Sequence, residues 1–245
     1  GFDKTKRIRH FIEKPRHKKD IAGMDISCAG KQKYPASMGI YVFNKEVLFE
    51  LLSASNKADF GKEVIPEAIG SRRTYAYVHT GYWKDIGSIP SFYQENMAFT
   101  DARPPIDLFD EKWPFFTRPR YLPLSKVSDA TVKDSDIAEG TIIASAKINH
   151  SIIGLRSKIG SGTVIEDSIL MGNDYYDNSR KVPGLGIGRN CVIKKAIVDK
   201  NVCMGDNVRI VNRDRLDDFE NEFCVIRSGI VIIPKAAVIP AGTVI

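Results

Sequence analysis

Ile153-Gly154-Leu155-Arg156-Ser157-Lys158-Ile159-Gly160-Ser161-Gly162-Thr163-Val164-Ile165 places an isoleucine at every sixth position. The same interval separates Ile137 from Ile143, Ile187 from Ile193 and Val202 from Val208, and it spaces Ile233, Ile239 and Ile245. Small or polar residues follow the aliphatic ones, as in Ile137-Ala138-Glu139-Gly140 and Ile187-Gly188-Arg189-Asn190. Such a hexad reads as a short flat strand with one inward aliphatic side chain and a tight corner. Three hexads close one triangular coil of a parallel β-helix. A single coil cannot bury its own apolar edge, so coils must stack. The repeat therefore predicts a β-helix domain over 127–245, a scaffold rather than a chemistry. Asp174–Gly186 and Asn212–Ser228 break the count and read as polar loops leaving the coil. The second holds the charged run Arg213-Asp214-Arg215-Leu216-Asp217-Asp218.

Upstream of the hexads, residues 101–126 carry Pro104, Pro105, Pro114, Pro119 and Pro123. That density predicts a semi-rigid, extended linker. In residues 1–100, Arg7 to Glu13 alternates like a strand that Lys14-Pro15 ends, because proline cannot continue a ladder. Residues 16–34 are polar and read as a loop. Ala36 to Phe43 is rich in β-formers and reads as a strand. Asn44 can cap a helix that opens at Lys45 and carries Val47, Leu48, Leu51 and Leu52 on one face. Asp59-Phe60-Gly61 precedes a second short helix, Glu63 to Ile69. Thr74 to His79 reads as a third strand, and Pro90 to Thr100 as a helix holding Phe92 and Met97. Strands alternating with helices predict an α/β domain. Three strands are few against a usual ~4–6, so this segment reads as the C-terminal half of a larger α/β sheet domain.

The chain has 245 residues and a net charge of +6. Much of the excess sits in Lys4, Lys6, Arg7, Arg9, Lys14, Arg16, Lys18 and Lys19. The run lacks interleaved stacking aromatics, which argues against nucleic acid and for phosphorylated small molecules. No apolar run is long enough for a signal peptide or a membrane span, so a soluble protein without a membrane partner is expected. None of the four cysteines are two or three apart, which fits neither a zinc framework nor a disulfide scaffold and points to a reducing compartment. Cys191 and Cys203 fall among the hexads and read as core or corner residues.

Three places could carry chemistry. Glu13-Lys14-Pro15 ends a predicted strand, where α/β sheets gather ligands. A lysine there suits a phosphate and a glutamate suits sugar hydroxyls, although taken alone the pair reads equally as surface charge. Ser37 and Gly39 stand in the second predicted strand, where a glycine allows close approach of a ligand or of a neighbouring helix. Trp83 and Asp85 lie in the turn-rich Tyr82-Trp83-Lys84-Asp85-Ile86-Gly87. An aspartate there could help hold Mg²⁺, which takes one or two carboxylates plus substrate phosphates, or could simply form an Asx turn. Walker, Gly-x-Ser-x-Gly and His-Glu-x-x-His motifs are absent from the sequence. Among the hexads only His150 could serve as the base of a hexad-repeat acyltransferase, and Lys147-Ile148-Asn149-His150-Ser151 reads rather as a corner.

Read together, FIEKP (11–15), ASMGIYVF (36–43), DFGKEVIP (59–66), GYWKDIGSIPSFYQENM (81–97), PRYLP (119–123), MGNDYY (171–176) and SGIVIIPKAAVIPAGTVI (228–245) resemble the ADP-glucose pyrophosphorylase (glucose-1-phosphate adenylyltransferase) family, in order along essentially the whole chain. The last two segments resemble its cyanobacterial and plant-type members. The resemblance implies half of a Rossmann-like nucleotidyltransferase domain followed by a left-handed parallel β-helix. It implies synthesis of ADP-glucose and pyrophosphate from ATP and glucose 1-phosphate with Mg²⁺, in the bacterial cytoplasm or the plastid stroma. By resemblance Lys14 and Asp85 are catalytic, Asp85 ligates the metal, and Glu13, Lys14, Ser37, Asp59 and Trp83 bind glucose 1-phosphate. The family's Gly-rich phosphate loop and second catalytic aspartate lie in a segment upstream of the residue that corresponds to Gly1. The chain is therefore expected to be a C-terminal portion without turnover of its own. The family is also allosteric and tetrameric. Lys200 and Lys235 match effector lysines, and Arg118 and Arg120 match the phosphate-binding linker, with arginine at 118 where glutamine is usual. Two pairs of cations suit a phosphorylated, dianionic effector. A homo- or hetero-tetramer is expected, and a non-catalytic regulatory subunit of the same family is the alternative reading.

Overall fold

Three ladders of stacked aliphatic side chains run the length of the hexad region. In the first, Val127 pairs with Ile143, Ile143 with Ile159, Ile159 with Ile187, Ile187 with Met204 and Met204 with Ile239. The second stacks Val132, Ile148, Ile165, Ile193 and Ile210. The third stacks Ile137, Ile153, Leu170, Val198 and Ile233. All pairings are parallel, so each ladder is one face of a triangular prism. The inward side chains form one continuous core, in which Ile153, Ile165, Ile193 and Ile239 are fully buried. At roughly 25 cal/mol per Å² of apolar surface removed from water, this stacking is the dominant stabilising term of the domain.

The expected sixes hold with one change of phase. Val202 and Val208 are buried, but the ladder positions of that coil belong to Met204 and Ile210. Val208 occupies the corner place that Thr163 and Cys191 fill in other coils, and Val202 the one that Thr141 fills, each just after a residue with positive φ: Asn207, Gly162, Asn190, Asn201 and Gly140. Gly160, Gly188 and Gly205 stack at another corner. A Cβ on Gly160 would stand 2.6 Å from the Gly188 carbonyl oxygen, and one on Gly188 would stand 2.5 Å from the Gly205 carbonyl. The glycine of each Ile-Gly or Met-Gly step is therefore demanded by coil-to-coil approach.

The structure is a computed structural model and describes residues 1–28, 31–53, 59–177 and 182–245. Contacts divide the chain into two units, Gly1–Gly81 and Tyr82–Ile245. In the first, β1 (Ile26–Cys28) and β2 (Lys31–Lys33) form an antiparallel hairpin after a short 3₁₀ turn at Lys18–Ile21, where a loop was expected over 16–34. Helix α1 (Lys45–Ser53) and helix α2 (Ile65–Ser71), the latter entered through a π turn at Phe60–Val64, pack Leu51, Val64 and Ala68 together with Phe43 and Val47. The expected strand Ala36–Phe43 is not one: no described segment ladders with it, and Ile40 and Val42 are 73 % and 96 % exposed. Arg7–Glu13 and Thr74–His79 reduce to isolated bridges, Phe2 with Ile8 and Arg7 with Tyr75. A strand exists only through its neighbour, and these β-rich stretches find little among the described residues.

In the second unit, helix α3 (Ile89–Met97) begins at Ser88, whose hydroxyl accepts from the Ser91 N–H. It lays Ile89, Phe92, Tyr93 and Met97 on a fourth, outward ladder of the β-helix, Ile152–Ile169–Ile197–Ile232. The double aliphatic steps in the sequence, such as Ile152-Ile153 and Ile197-Val198, thus feed the prism interior and the helix-covered face at once. Residues 103–125 contain no helix or strand. Asn212–Ser228 does not loop away: Val225–Arg227 pairs antiparallel with Ile230–Ile233, and Asp218–Glu220 pairs antiparallel with Val225–Arg227. Of the Asp174–Gly186 interruption, residues 178–181 lie outside the described residues.

Candidate functional site

In the first unit the π turn gathers side chains that lie far apart in the sequence. Asp59 caps the turn, its carboxylate accepting from the Lys62 N–H at 2.9 Å while Lys62 Nζ stands 3.5 Å away. The Lys62 amide, and then the Lys62 charge, hold the Asp59 carboxyl below its ordinary range. In return the Asp59 N–H donates to Glu63 Oε2 at 3.1 Å. Glu13 reaches the same turn, and its Oε2 would lie 2.8 Å from a Cβ on Gly61. Phe60 stacks on Tyr41 with ring centroids 6.4 Å apart. The Tyr41 hydroxyl meets Ser37 Oγ at 3.0 Å, and Ser37 Oγ accepts from the Gly39 N–H at 3.2 Å. Glu13 and Asp59 thus converge on Gly61, and Ser37 is tied to the same turn through Tyr41 and its stack on Phe60. Lys14 follows, exposed, with its backbone at φ 47°. That conformation costs a non-glycine residue roughly 1–2 kcal/mol, and such residues cluster at ligand sites.

Trp83 and Asp85 belong to the second unit, on the exposed segment that leads into α3. Asp85 Oδ1 accepts from the Gly87 N–H at 2.9 Å, an Asx turn. Glu95, one face of α3, fastens this segment: the Tyr82 hydroxyl donates to Glu95 Oε2, and Lys84 Nζ stands 2.9 Å from Oε1. The Tyr82 hydrogen bond, then Lys84, keep the Glu95 carboxyl depressed. Among the described residues no cluster of three or more His, Cys, Asp or Glu side chains is placed to hold a metal ion. Asp85 alone fits a hard cation that draws its remaining oxygens from substrate phosphates.

A second site forms on the β-helix. Lys200 Nζ donates to Asp174 Oδ1 at 2.7 Å, and Lys235 Nζ stands 3.5 Å from Asp174 Oδ2. Asn201 holds the same aspartate twice, its side-chain N–H donating to Oδ2 at 3.0 Å and its side-chain oxygen accepting from the Asp174 N–H at 2.8 Å. These partners, Lys200 first, bring the Asp174 carboxyl down to about 2. The residues meet because the third ladder pairs Leu170 with Val198 and Val198 with Ile233, and each follows the end of one of those strands. Arg118 and Arg120 are exposed in the extended segment, where an Arg120 guanidinium N–H donates to the Arg118 carbonyl at 3.2 Å. No hydrogen bond or ion pair joins them to the Asp174 cluster among the described residues. His150 sits at a corner with φ 44° and shares a 2.6 Å hydrogen bond with Asp167.

Residues 120–244 match the GLGC left-handed parallel beta-helix domain. The chain belongs to that family. Its residues 1–102 match the nucleotidyl transferase domain. A nucleotidyl transferase segment joined to a GLGC β-helix is the organisation of an ADP-glucose pyrophosphorylase-like protein, a sugar-phosphate nucleotidyltransferase of the GLGC type. In this GLGC-family chain, sequence reasoning passed over several of the residues that build these sites, Tyr41, Phe60, Gly61, Glu95, Asp174 and Asn201 among them. Gly61 and Glu95 carry no local signal beyond their place in the DFGKEVIP and FYQENM segments. Asp174 stands in MGNDYY, but its partners lie one and two coils further along and only the register joins them.

Proposed function

We propose that this chain serves the synthesis of ADP-glucose and pyrophosphate from ATP and glucose 1-phosphate, under control by phosphorylated metabolites. The observation that carries the reading is the convergence of Glu13 and Asp59 on Gly61, with Ser37 tied to the same turn through Tyr41 and Phe60. Carboxylates suit the hydroxyls of a sugar, and Phe60 and Tyr41 offer an apolar backing for its ring. Lys14, beside Glu13 in the chain, is a compact cation for the sugar's phosphate. In the second unit, family resemblance assigns Trp83 to the sugar and Asp85 to Mg²⁺, whose role when bound would be to neutralise phosphate charge.

In this reaction a phosphate oxygen of glucose 1-phosphate attacks the α-phosphorus of ATP. A new oxygen–phosphorus bond forms, the bond to the β-phosphate breaks, and pyrophosphate leaves. The side chains position and neutralise rather than react. The Lys200–Lys235 pair, with Arg118 and Arg120, is the proposed effector site, and the assembly a tetramer.

The test is pyrophosphate formation by the natural full-length protein with a panel of nucleoside triphosphates and sugar 1-phosphates. ATP and glucose 1-phosphate are expected to be preferred, and preference for another pair overturns the specificity. Lys14→Ala should raise the KM for glucose 1-phosphate on the order of a hundredfold, as loss of a charge-assisted contact does, while the KM for ATP moves little. Lys235→Glu should blunt activation by phosphorylated metabolites, and an unchanged activation curve rejects the effector assignment.

A further inference from the structure

The two effector lysines already hold an anion, and it comes from the chain itself. We propose that Asp174 is a resident competitor in the Lys200–Lys235 site, a carboxylate that a phosphorylated ligand must displace to bind. The inference rests on the effector reading of those two lysines and adds to it a residue that sets how strongly, and for which charge, the site binds.

Four observations carry it. Asp174 engages the pair with both oxygens, Oδ1 toward Lys200 and Oδ2 toward Lys235, as one end of a phosphate would. The site is open: the side chains of Lys200, Lys235 and Asp174 are 39 %, 58 % and 41 % exposed, so an incoming anion reaches them without a path through the core. Exposed ion pairs of this kind add little to stability, which leaves the pairing cheap to break. The backbone of Asp174 is fixed separately through its N–H to the Asn201 side-chain oxygen, so the carboxylate leaves by side-chain rotation, giving up the Asn201 side-chain N–H along with the two lysines.

The chemistry of the exchange follows from charge. A phosphomonoester is a dianion, whereas the resident group is a monoanion on a tether. The dianion gains more from two ammonium groups and takes their place beside it, and Asp174 turns outward. A free monoanion has no such advantage and also has to compete with a tethered group at high local concentration. Asp174 thereby favours dianionic ligands and keeps the affinity below what two free lysines would give. Asp199, whose carboxylate accepts from the Lys200 N–H at 2.6 Å, is a further negative charge beside Lys200 in the chain.

Calorimetric titration of the full chain with inorganic phosphate near neutral pH tests this. Asp174→Asn should bind phosphate about tenfold more tightly than the parent, because a unit charge next to the ligand is removed. Asp174→Ala should shift in the same direction, which guards against the amide reproducing the carboxylate's hydrogen bonds, and melting curves verify that both variants fold. The double variant Lys200→Gln, Lys235→Gln should lose phosphate binding. If the double variant loses binding while both Asp174 variants bind no more tightly than the parent, the competitor role is overturned and the effector reading stands. If the double variant binds like the parent, the effector reading fails and this inference fails with it.

Discussion

Glu13 Oε2 stands so close to Gly61 that a methyl group on the glycine would lie 2.8 Å from it. Gly61 is inside the π turn without a positive φ, so backbone conformation does not require glycine here and the reason is the carboxylate. Gly61→Ala should keep or slightly raise the melting temperature, since alanine is favoured over glycine in a helical turn by roughly 0.5–1 kcal/mol. The same change should push Glu13 aside and weaken glucose 1-phosphate binding about tenfold, a small displacement of a positioning group having effects of that order or greater. Calorimetry with glucose 1-phosphate checks it, and unaltered affinity rules out Glu13 as a sugar ligand.

Glu95 orders the segment that presents Trp83 and Asp85, through Tyr82 and Lys84. Glu95→Gln should lower kcat for pyrophosphate formation several-fold while leaving the global melting curve nearly unchanged. Because the Glu95 carboxyl is depressed in the folded protein, its contribution is present above the ordinary carboxylate value and fades as pH falls through the depressed one. The Tyr82 and Lys84 side-chain resonances should report that loss on the acid side, and the Gln variant should not show it. Equal acid responses in parent and variant would remove Glu95 from this role.

Asp174 should titrate at about 2. Its pairing with Lys200 and Lys235 is then intact above the ordinary aspartate range and disappears only as pH falls from there towards about 2. Carboxyl ¹³C shifts of the folded chain give the value directly. Titration at the ordinary aspartate position would mean that the lysines do not hold it in solution.

Ile197 is 4 % exposed and lies on the outward ladder beneath α3. Ile197→Ala removes atoms that α3 packs on without opening the prism interior, and should cost about 2–4 kcal/mol. Amide hydrogen exchange should quicken in α3 first, before the strands of the inner ladders. Uniform acceleration throughout the β-helix would contradict an independent docking face.

The prism was legible because each inward aliphatic belongs to a local count: Ile153, Ile159 and Ile165 announce themselves within thirteen residues. The count slipped at Val202 and Val208, where a valine occupies a corner that elsewhere takes threonine or cysteine, so two equally spaced apolar series compete. In residues 1–81 the helices were legible from Val47, Leu48 and Leu51, whereas Ala36–Phe43 was not what its composition suggests. Branched and aromatic residues express a capacity for pairing, and pairing requires a neighbour that no single stretch encodes. Lys200 and Lys235 could be named from resemblance. Asp174, which sits 26 residues before Lys200, joins them only through coil register, a property of the stacked structure.

The outward ladder has a mechanical consequence. Ile169, Ile197 and Ile232, on which α3 rides, stand on the same strands that run on into Asp174, Lys200 and Lys235. Each anion-cluster residue is therefore the near continuation of a strand pressing on α3, and α3 anchors, through Glu95, the turn that carries Asp85. The β-helix is then less a pedestal than a shared frame: the strands that run on into Asp174, Lys200 and Lys235 also seat the helix whose Glu95 holds the segment bearing Asp85.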